Sequence, residues 1–332
     1  MRSTSITFAL LAVVVIMVGL FILPPTSHQL RRQQLLLGTV VEIVAFGPDL
    51  DILEEAVSAA FSEIARIEHL MSPHIAESDV ARLSAATEPF AVAPETAEVL
   101  ALGLRVAKAS RGGFDMTLGR LKQLWAIGSS APHIPTPAEI SVALTGVGPE
   151  ALTLNGQIVT KKNSHLAVDL GAIAKGYAID RAALLLRQRG IKHASVNAGG
   201  DIVLLGGKSS KERWLIGIQD PLEPDKTVAA LKLADRAVVT SGDYERFFER
   251  NGVRYHHIFD PASGFPGRRS RSVTIVADSA ALADALATAA FVLGPEAGLA
   301  LLSDFPATEG LIIDPAGEFH LTPGMSTLLS WH

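Results

Sequence analysis

Asp284 is the only charged residue between Ser279 and Gly294 (SAALADALATAAFVLG), and Thr288 follows it four positions later. On a helix that spacing puts a carboxylate and a hydroxyl on one face. A surface helix would carry several charges, so this one is predicted to be mostly buried, and a buried carboxylate must be neutralised, paired or metal-bound. Hard oxygen donors of this kind suit magnesium, which often completes its shell with phosphate oxygens. Pairing with an arginine elsewhere satisfies the same pattern. A second cluster, Val168-Asp169-Leu170-Gly171-Ala172-Ile173-Ala174-Lys175-Gly176-Tyr177, runs from a strand-like end through a glycine into a helix start. Free backbone N–H groups there suit an anion, and Lys175 has the length to reach a phosphate. Neither the Walker nor the Rossmann glycine spacing is met, and a capped strand–helix turn accounts for the same residues.

Three more segments carry chemistry more faintly. In Asn197-Ala198-Gly199-Gly200-Asp201 the paired glycines permit close backbone approach to a ligand, or simply a tight turn. Thr240-Ser241-Gly242-Asp243-Tyr244 precedes Tyr255-His256-His257-Ile258-Phe259-Asp260-Pro261. Adjacent histidines in a strand-like segment point to opposite faces, so at most one enters a site. Residues 113–119 (GFDMTLG), with Trp125 beyond them, read as a turn with capping residues.

The elements that must position these groups alternate irregularly. Thr39 to Phe46 is rich in β-branched residues and reads as a strand. Leu53, Val57, Phe61, Ile64, Ile67 and Met71 give an amphipathic helix over 51–71. Pro94 to Ser110 is a second helix, with Pro94 in its first turn and Gly112-Gly113 at its end. Residues 129–165, rich in Pro, Gly, Ser and Thr, read as short strands and turns. A third helix spans 173–189 and stops at Gly190. Short strands follow near 194–196, 201–205, 214–219, 237–240 and 273–277. After the 279–293 helix another begins beyond Pro295, and strands near 310–313 and 319–321 close the chain. Strand runs mixed with helices, without steady βαβ alternation, predict an α+β fold.

The 332 residues carry 29 basic and 34 acidic side chains, for a net charge of −5. That opposes a nucleic-acid binder held by a broad basic face. With no cysteine there is no disulfide, zinc ribbon, iron–sulfur cluster, thiol nucleophile or cysteine-linked lipid. Ile6 to Leu23 is uncharged and ends at Pro24-Pro25. As a helix it would be roughly 27 Å long, close to the ~30 Å hydrocarbon core and longer than the usual h-region of a signal peptide. An uncleaved N-terminal anchor is expected over residues 1–23, with a cleaved signal peptide as the alternative. Residues 24–35 read as a polar linker, and 36–332 as one catalytic domain.

In their order along the chain these motifs resemble the ApbE family, the flavin transferases that move FMN from FAD onto proteins. The matching pieces are Leu37-Gly38-Thr39 with Glu42, Gly113-Phe114-Asp115-Met116-Thr117 through Trp125, and Asp169 to Tyr177. Asn197 to Asp201, Thr240 to Tyr244, His257-Ile258-Phe259-Asp260-Pro261 and Ala283-Asp284-Ala285-Leu286-Ala287-Thr288 follow. The resemblance implies an ApbE-like (T-fold-like) arrangement of mixed sheets with packed helices, after one N-terminal hydrophobic helix. It implies magnesium on Asp284 and Thr288 with the carbonyls of Ala172 and Ala287. It implies FAD contacts at Leu37, His74, Asp115, Met116, Thr117, Asp169, Lys175 and Phe259, and a base at His257 rather than His256. The chain departs from the family pattern at Leu37, where Met is common, at His74, where Tyr or Trp is usual, and at Ser84, where Asn often stands.

The function so implied is Mg2+-dependent transfer of FMN from FAD, the substrate, to a Thr or Ser hydroxyl, with AMP released. The expected acceptor is a flavoprotein, a membrane electron-transfer subunit, and the expected place is the periplasmic face of the inner membrane, or the periplasm itself if the N-terminal segment is cut. A magnesium-dependent FAD pyrophosphatase giving FMN and AMP would use the same residues. A non-catalytic flavin-binding protein is the third reading, and the intact Asp284, Thr288 and His257 oppose it.

Overall fold

The computed structural model describes residues 27–223 and 225–331. The expected hydrophobic helix over 6–23 lies outside the described residues. Among those described, no helix is long and apolar enough to cross a membrane.

β1 (His28–Leu36) and β2 (Thr39–Gly47) form a hairpin turned by Leu37-Gly38, at φ 56° and 68°. Two left-handed residues at the tip match the twist of the flanking strands. Leucine rarely adopts that region, yet Leu37 is half-buried against the main core. Residues 28–35, expected as linker, are therefore strand. β1 is the sheet's outer strand, so its Gln and Arg side chains stay largely in solvent and no apolar alternation marks it. Arg31 and Gln33 both donate to Glu42 on β2, at 2.7 and 2.5 Å.

α1 (Leu50–Met71) is capped by Asp49, whose Oδ1 accepts the Asp51 and Ile52 N–H groups at 2.9 and 3.2 Å. α2 (Asp79–Ala85), β3 (Phe90–Ala91), α3 (Pro94–Ala109), α4 (Gly119–Trp125), α5 (Pro137–Ala143), β4 (Leu152–Asn155) and β5 (Ile158–Lys161) follow. Within 129–165, read as strands and turns, α5 is a helix. Thr136 and Glu139 close a reciprocal capping box around its start. α6 (Ala174–Gln188), β6 (His193–Ala198), β7 (Asp201–Leu205), β8 (Trp214–Gln219), β9 (Thr227–Leu233), β10 (Ala237–Gly242), β11 (Phe247–Arg250), β12 (Val253–His256) and β13 (Ser272–Ala277) come next. The chain ends with α7 (Ala280–Leu293), α8 (Pro295–Ser303), β14 (Glu309–Ile313), β15 (Phe319–Leu321), α9 (Met325–Leu328) and β16 (Leu329–Trp331).

Eight strands form one antiparallel sheet in the order β1-β2-β6-β7-β10-β13-β14-β15. Its central strands are covered on both faces, and every residue of β13 is buried. Val239 and Ile275 face α1, α6 and α7, in the core that also holds Phe61, Leu186 and Phe291. Their neighbours Val238 and Val276 turn the other way, onto Ile218, Leu231 and Met325 beneath the small sheet β16-β9-β8. This is the period-two alternation of a strand buried on both sides. A third cluster forms around Trp125, with Leu118, Leu121, Ile140 and Phe259. The fold is α+β, as the element order predicts.

Candidate active site

Helix α7 brings its carboxylate to the centre because its start is fixed against α6. Asp180 of α6 accepts the Ser279 Oγ–H at 2.8 Å and the Ala280 and Ala281 N–H groups at 2.9 Å each. The two helices touch at Gly176, where a Cβ would stand 2.3 Å from Ala280 O. The Gly176 N–H donates to Asp284 Oδ2 at 3.2 Å. In a regular helix it would serve the carbonyl four residues back, that of Ala172. The half-buried turn before α6 is thus joined directly to the acid on α7.

Asp284 is 5% exposed. Burial, then repulsion from Asp201, pushes its carboxyl up to about 7, against the pull of Lys175. Lys175 is ion-paired with Asp201, itself 1% exposed. Burial works against the charge on Lys175, but Asp201 and Asp284 together raise it above its ordinary value. Glu245 is the third carboxylate acting on this lysine, and burial raises it too. One ammonium therefore faces three carboxylates. Arg246 also acts on Glu245, and Lys122, itself paired with Asp169, on Asp284, yet the fully ionised group stays net negative. A divalent cation with a preference for oxygen fits that excess. The Thr288 hydroxyl lies 3.5 Å from Ser241 Oγ and is half-buried. Ala287 is fully buried in mid-helix, so its carbonyl is the least accessible of the expected ligands.

The two histidines divide as their spacing requires. His256 is 4% exposed, its ring edge-on to Phe291 at 5.3 Å. Its Nε2 donates to Gly267 O at 2.7 Å while its Nδ1 accepts the Ile258 N–H at 3.3 Å, so both nitrogens are used. His257 is half-buried, with Nδ1 3.3 Å from the Arg246 carbonyl. A carbonyl can only accept, so Nδ1 carries the proton and Nε2 keeps its lone pair. Burial first, then the charges of Lys122 and Arg246, lowers His257 to about 3. The ring is neutral at pH 7.

Asp169 ends its segment with Oδ1 bound by Lys122 Nζ at 2.5 Å and by the Gly171 N–H at 2.9 Å. Although burial opposes ionisation, Lys122 holds this carboxylate below the usual range. His74 contributes to the same field from the exposed loop after α1. Asp115 Oδ1 accepts both the backbone N–H and the hydroxyl of Thr117, at 2.7 and 2.6 Å, while burial raises its carboxyl. The Asp169 N–H donates to Met116 O at 2.9 Å, joining the 115–118 and 167–169 segments.

Several of the expected residues are held by the protein itself. Lys175 is not a free cation: it is committed to Asp201. The Met116 side chain fills the core, since a Cβ on Gly103 would stand 2.1 Å from its sulfur. The Phe259 ring is buried 5.7 Å from that of Trp125. Leu37 sits at the hairpin tip beside Gly199, where a Cβ would stand 2.5 Å from Thr39 Oγ1. Sequence reasoning missed Lys122 and Glu245, which no motif flags, and treated Asp201 as a turn residue only. The signal for Asp201 was its place after Gly199-Gly200, which left-handed φ values of 60° and 100° make a sharp reversal.

A model of the ApbE family matches residues 37–312. The chain belongs to the ApbE family. A protein of Treponema pallidum named FAD:protein FMN transferase is 34% identical over 319 residues, 90% of this chain and 88% of its own length. One of the same name from Vibrio cholerae is 38% identical over 70% of this chain and 71% of its own length. Among solved structures, the ApbE protein of Thermotoga maritima superposes with a TM-score of 0.84 at 34% identity, over 91% of this chain and 99% of that one. The flavin transferase ApbE of Vibrio cholerae gives a TM-score of 0.81 at 30% identity, over 91% and 99%. The ApbE architecture therefore holds through the whole helix–sheet unit that carries Asp284, His257 and Asp169.

Proposed function

We propose that this ApbE chain is a magnesium-dependent FAD:protein FMN transferase. One observation carries the reading: an under-neutralised carboxylate cluster around Asp284, in one chain with a neutral histidine whose Nε2 is open. The first is the complement of a metal–diphosphate, and the second is a base awaiting a hydroxyl. A magnesium ion on Asp284, Thr288 and the Ala172 and Ala287 carbonyls would offset charge on the FAD diphosphate and on the departing AMP.

This chain's own residues do the rest. His257 Nε2 takes the proton of a Thr or Ser hydroxyl on the acceptor protein as that oxygen attacks the FMN-side phosphorus. The new P–O bond gives a phosphodiester, and the bond to the bridging oxygen breaks to release AMP. A base at about 3 is weak by itself, but an anionic diphosphate brought near it raises its proton affinity. Lys175 keeps Asp201 and Asp284 in place rather than touching phosphate. Asp115, Thr117 and Asp169 present polar edges to the flavin nucleotide, with the Met116 and Phe259 backbones beside them and His74 and Leu37 at the rim. An anchor at residues 6–23 would hold the enzyme at the periplasmic membrane surface beside a membrane-bound acceptor flavoprotein, raising effective concentration.

The test is in-gel flavin fluorescence after incubating the protein with FAD, magnesium and a Thr-containing acceptor flavoprotein domain. The reading predicts a fluorescent acceptor band that disappears with EDTA and with Asp284→Ala. AMP release without a labelled acceptor would instead mark a pyrophosphatase, and FAD binding without AMP a flavin-binding protein.

A further inference from the structure

Of the two basic residues on α4, Arg120 is exposed and donates to His165 O at 2.8 Å. Lys122 turns inward. Its ammonium lies 2.5 Å from Asp169 Oδ1, and the two side chains are 29% and 14% exposed. The pair links residues 47 apart in sequence, tying α4 to the turn that leads through Gly171 and Ala172 into α6. That same Oδ1 holds the Gly171 N–H, so the clamp and the turn share one atom.

Lys122 also faces groups from two further elements. Its charge acts on Asp284 of α7 and on His257 after β12. The groups acting on His257 are Lys122 from α4, Arg246 from the segment before β11, and His256 beside it on its own strand. Lys175, likewise half-buried, is occupied by Asp201.

We propose that Lys122 is a positioning residue of the transfer site: it clamps the Asp169–Ala172 turn to α4. The proposal rests on the flavin-transfer reading above. The clamp fixes the turn that leads into α6, whose Gly176 N–H donates to Asp284 Oδ2. Its charge adds to burial in disfavouring the protonated form of His257.

The test compares Lys122→Met and Lys122→Arg in the full chain. It measures transfer rate from pH 4 to 9, FAD affinity by flavin fluorescence, and hydrogen exchange over residues 169–175. Lys122→Met is expected to lower kcat about tenfold or more while FAD affinity changes little. The acid limb of its kcat profile moves up by about one pH unit, the size expected when a neighbouring like charge is removed. Exchange at Gly171 speeds about tenfold. Lys122→Arg restores most of the rate and the profile, because a guanidinium keeps both charge and pair. A Met variant with wild-type rate, profile and exchange overturns the proposal. So does an Arg variant as impaired as the Met one, which would mean that shape alone matters. If the unmodified protein transfers no flavin, the transfer reading fails on that result, and the exchange at Gly171 alone decides the clamp. Should Lys122→Met fail to fold, Asp169→Asn removes the same pair from the other side and must show the same exchange.

Discussion

Replacing Gly176 with alanine sets two rules against each other. Alanine is the better helix former by about 1 kcal/mol, so propensity alone predicts a more stable protein. The packing predicts the reverse. A Cβ at this position would lie 2.3 Å from Ala280 O, 2.5 Å from Ala280 C and 2.8 Å from Ala281 N, where ordinary contact begins at 3.4 Å. All three are backbone atoms, so no side-chain rotation relieves the clash, and α6 and α7 must part by roughly 1 Å. That movement stretches the Gly176 N–H bond to Asp284 beyond hydrogen-bonding length and pulls on the Asp180 bonds at the start of α7. Overpacking of this kind costs about 1–3 kcal/mol and the lost hydrogen bond about 1 more. A net loss of ~2 kcal/mol after the propensity gain corresponds to a Tm lower by roughly 3 °C in a domain of this size. The same displacement parts the start of α6 from Asp284, and misplacing a site by about 1 Å costs on the order of 100-fold in rate. Calorimetry and the transfer assay read the two effects. A Gly176→Ala protein that melts at or above the wild-type temperature and transfers flavin normally would refute the packing argument.

The remaining predictions bear on other parts of the site. Asp180→Ala removes the acceptor of three hydrogen bonds at the start of α7 and is expected to cost about 2–3 kcal/mol in urea unfolding. His256, lowered to about 4 chiefly by burial, makes stability depend on acid. Because the unfolded chain binds its proton near 6.5, stability is full above that pH and declines as pH falls toward 4, by about 3 kcal/mol. His257 adds to the same slope. Denaturation curves at pH 7 and 4.5 should show the loss, and His256→Gln should make it smaller. His257→Asn is expected to lower transfer by about 100-fold or more while leaving FAD affinity within a few-fold, as the loss of a proton acceptor requires.

The parts of the molecule legible in the sequence are those where burial imposes a period. The helix with a single acid, Asp284, was readable because a charge-free face has only one stable place, against the sheet. The His256-His257 pair was readable because a strand sends neighbours to opposite sides. β1 was not readable: an outer strand is held by its backbone ladder, and HQLRRQQLL exposes most of its side chains. α5 hid among prolines and glycines although Thr136 and Glu139 form its capping box. At the site, sequence exposed residue types but not who holds whom. Lys175 has a lysine's reach in any reading, and only the fold shows it spent on Asp201. Lys122 carries no motif because its partner, Asp169, is far along the chain and meets it through the packing of α4. Met116 and Phe259 lie in matching motifs, yet their side chains are packed into the core, a distinction that residue identity does not express.

The central claim is a covalent one, so the most direct measurement is the intact mass of the acceptor domain after incubation with the protein, FAD and magnesium, with AMP quantified in the same tube. The account predicts that the acceptor gains the mass of FMN less one water, on a Thr or Ser, with one AMP released for each acceptor modified, and neither product with Asp284→Ala. An acceptor of unchanged mass with free FMN and AMP accumulating would contradict it, because the hydroxyl entering the site would then be that of water.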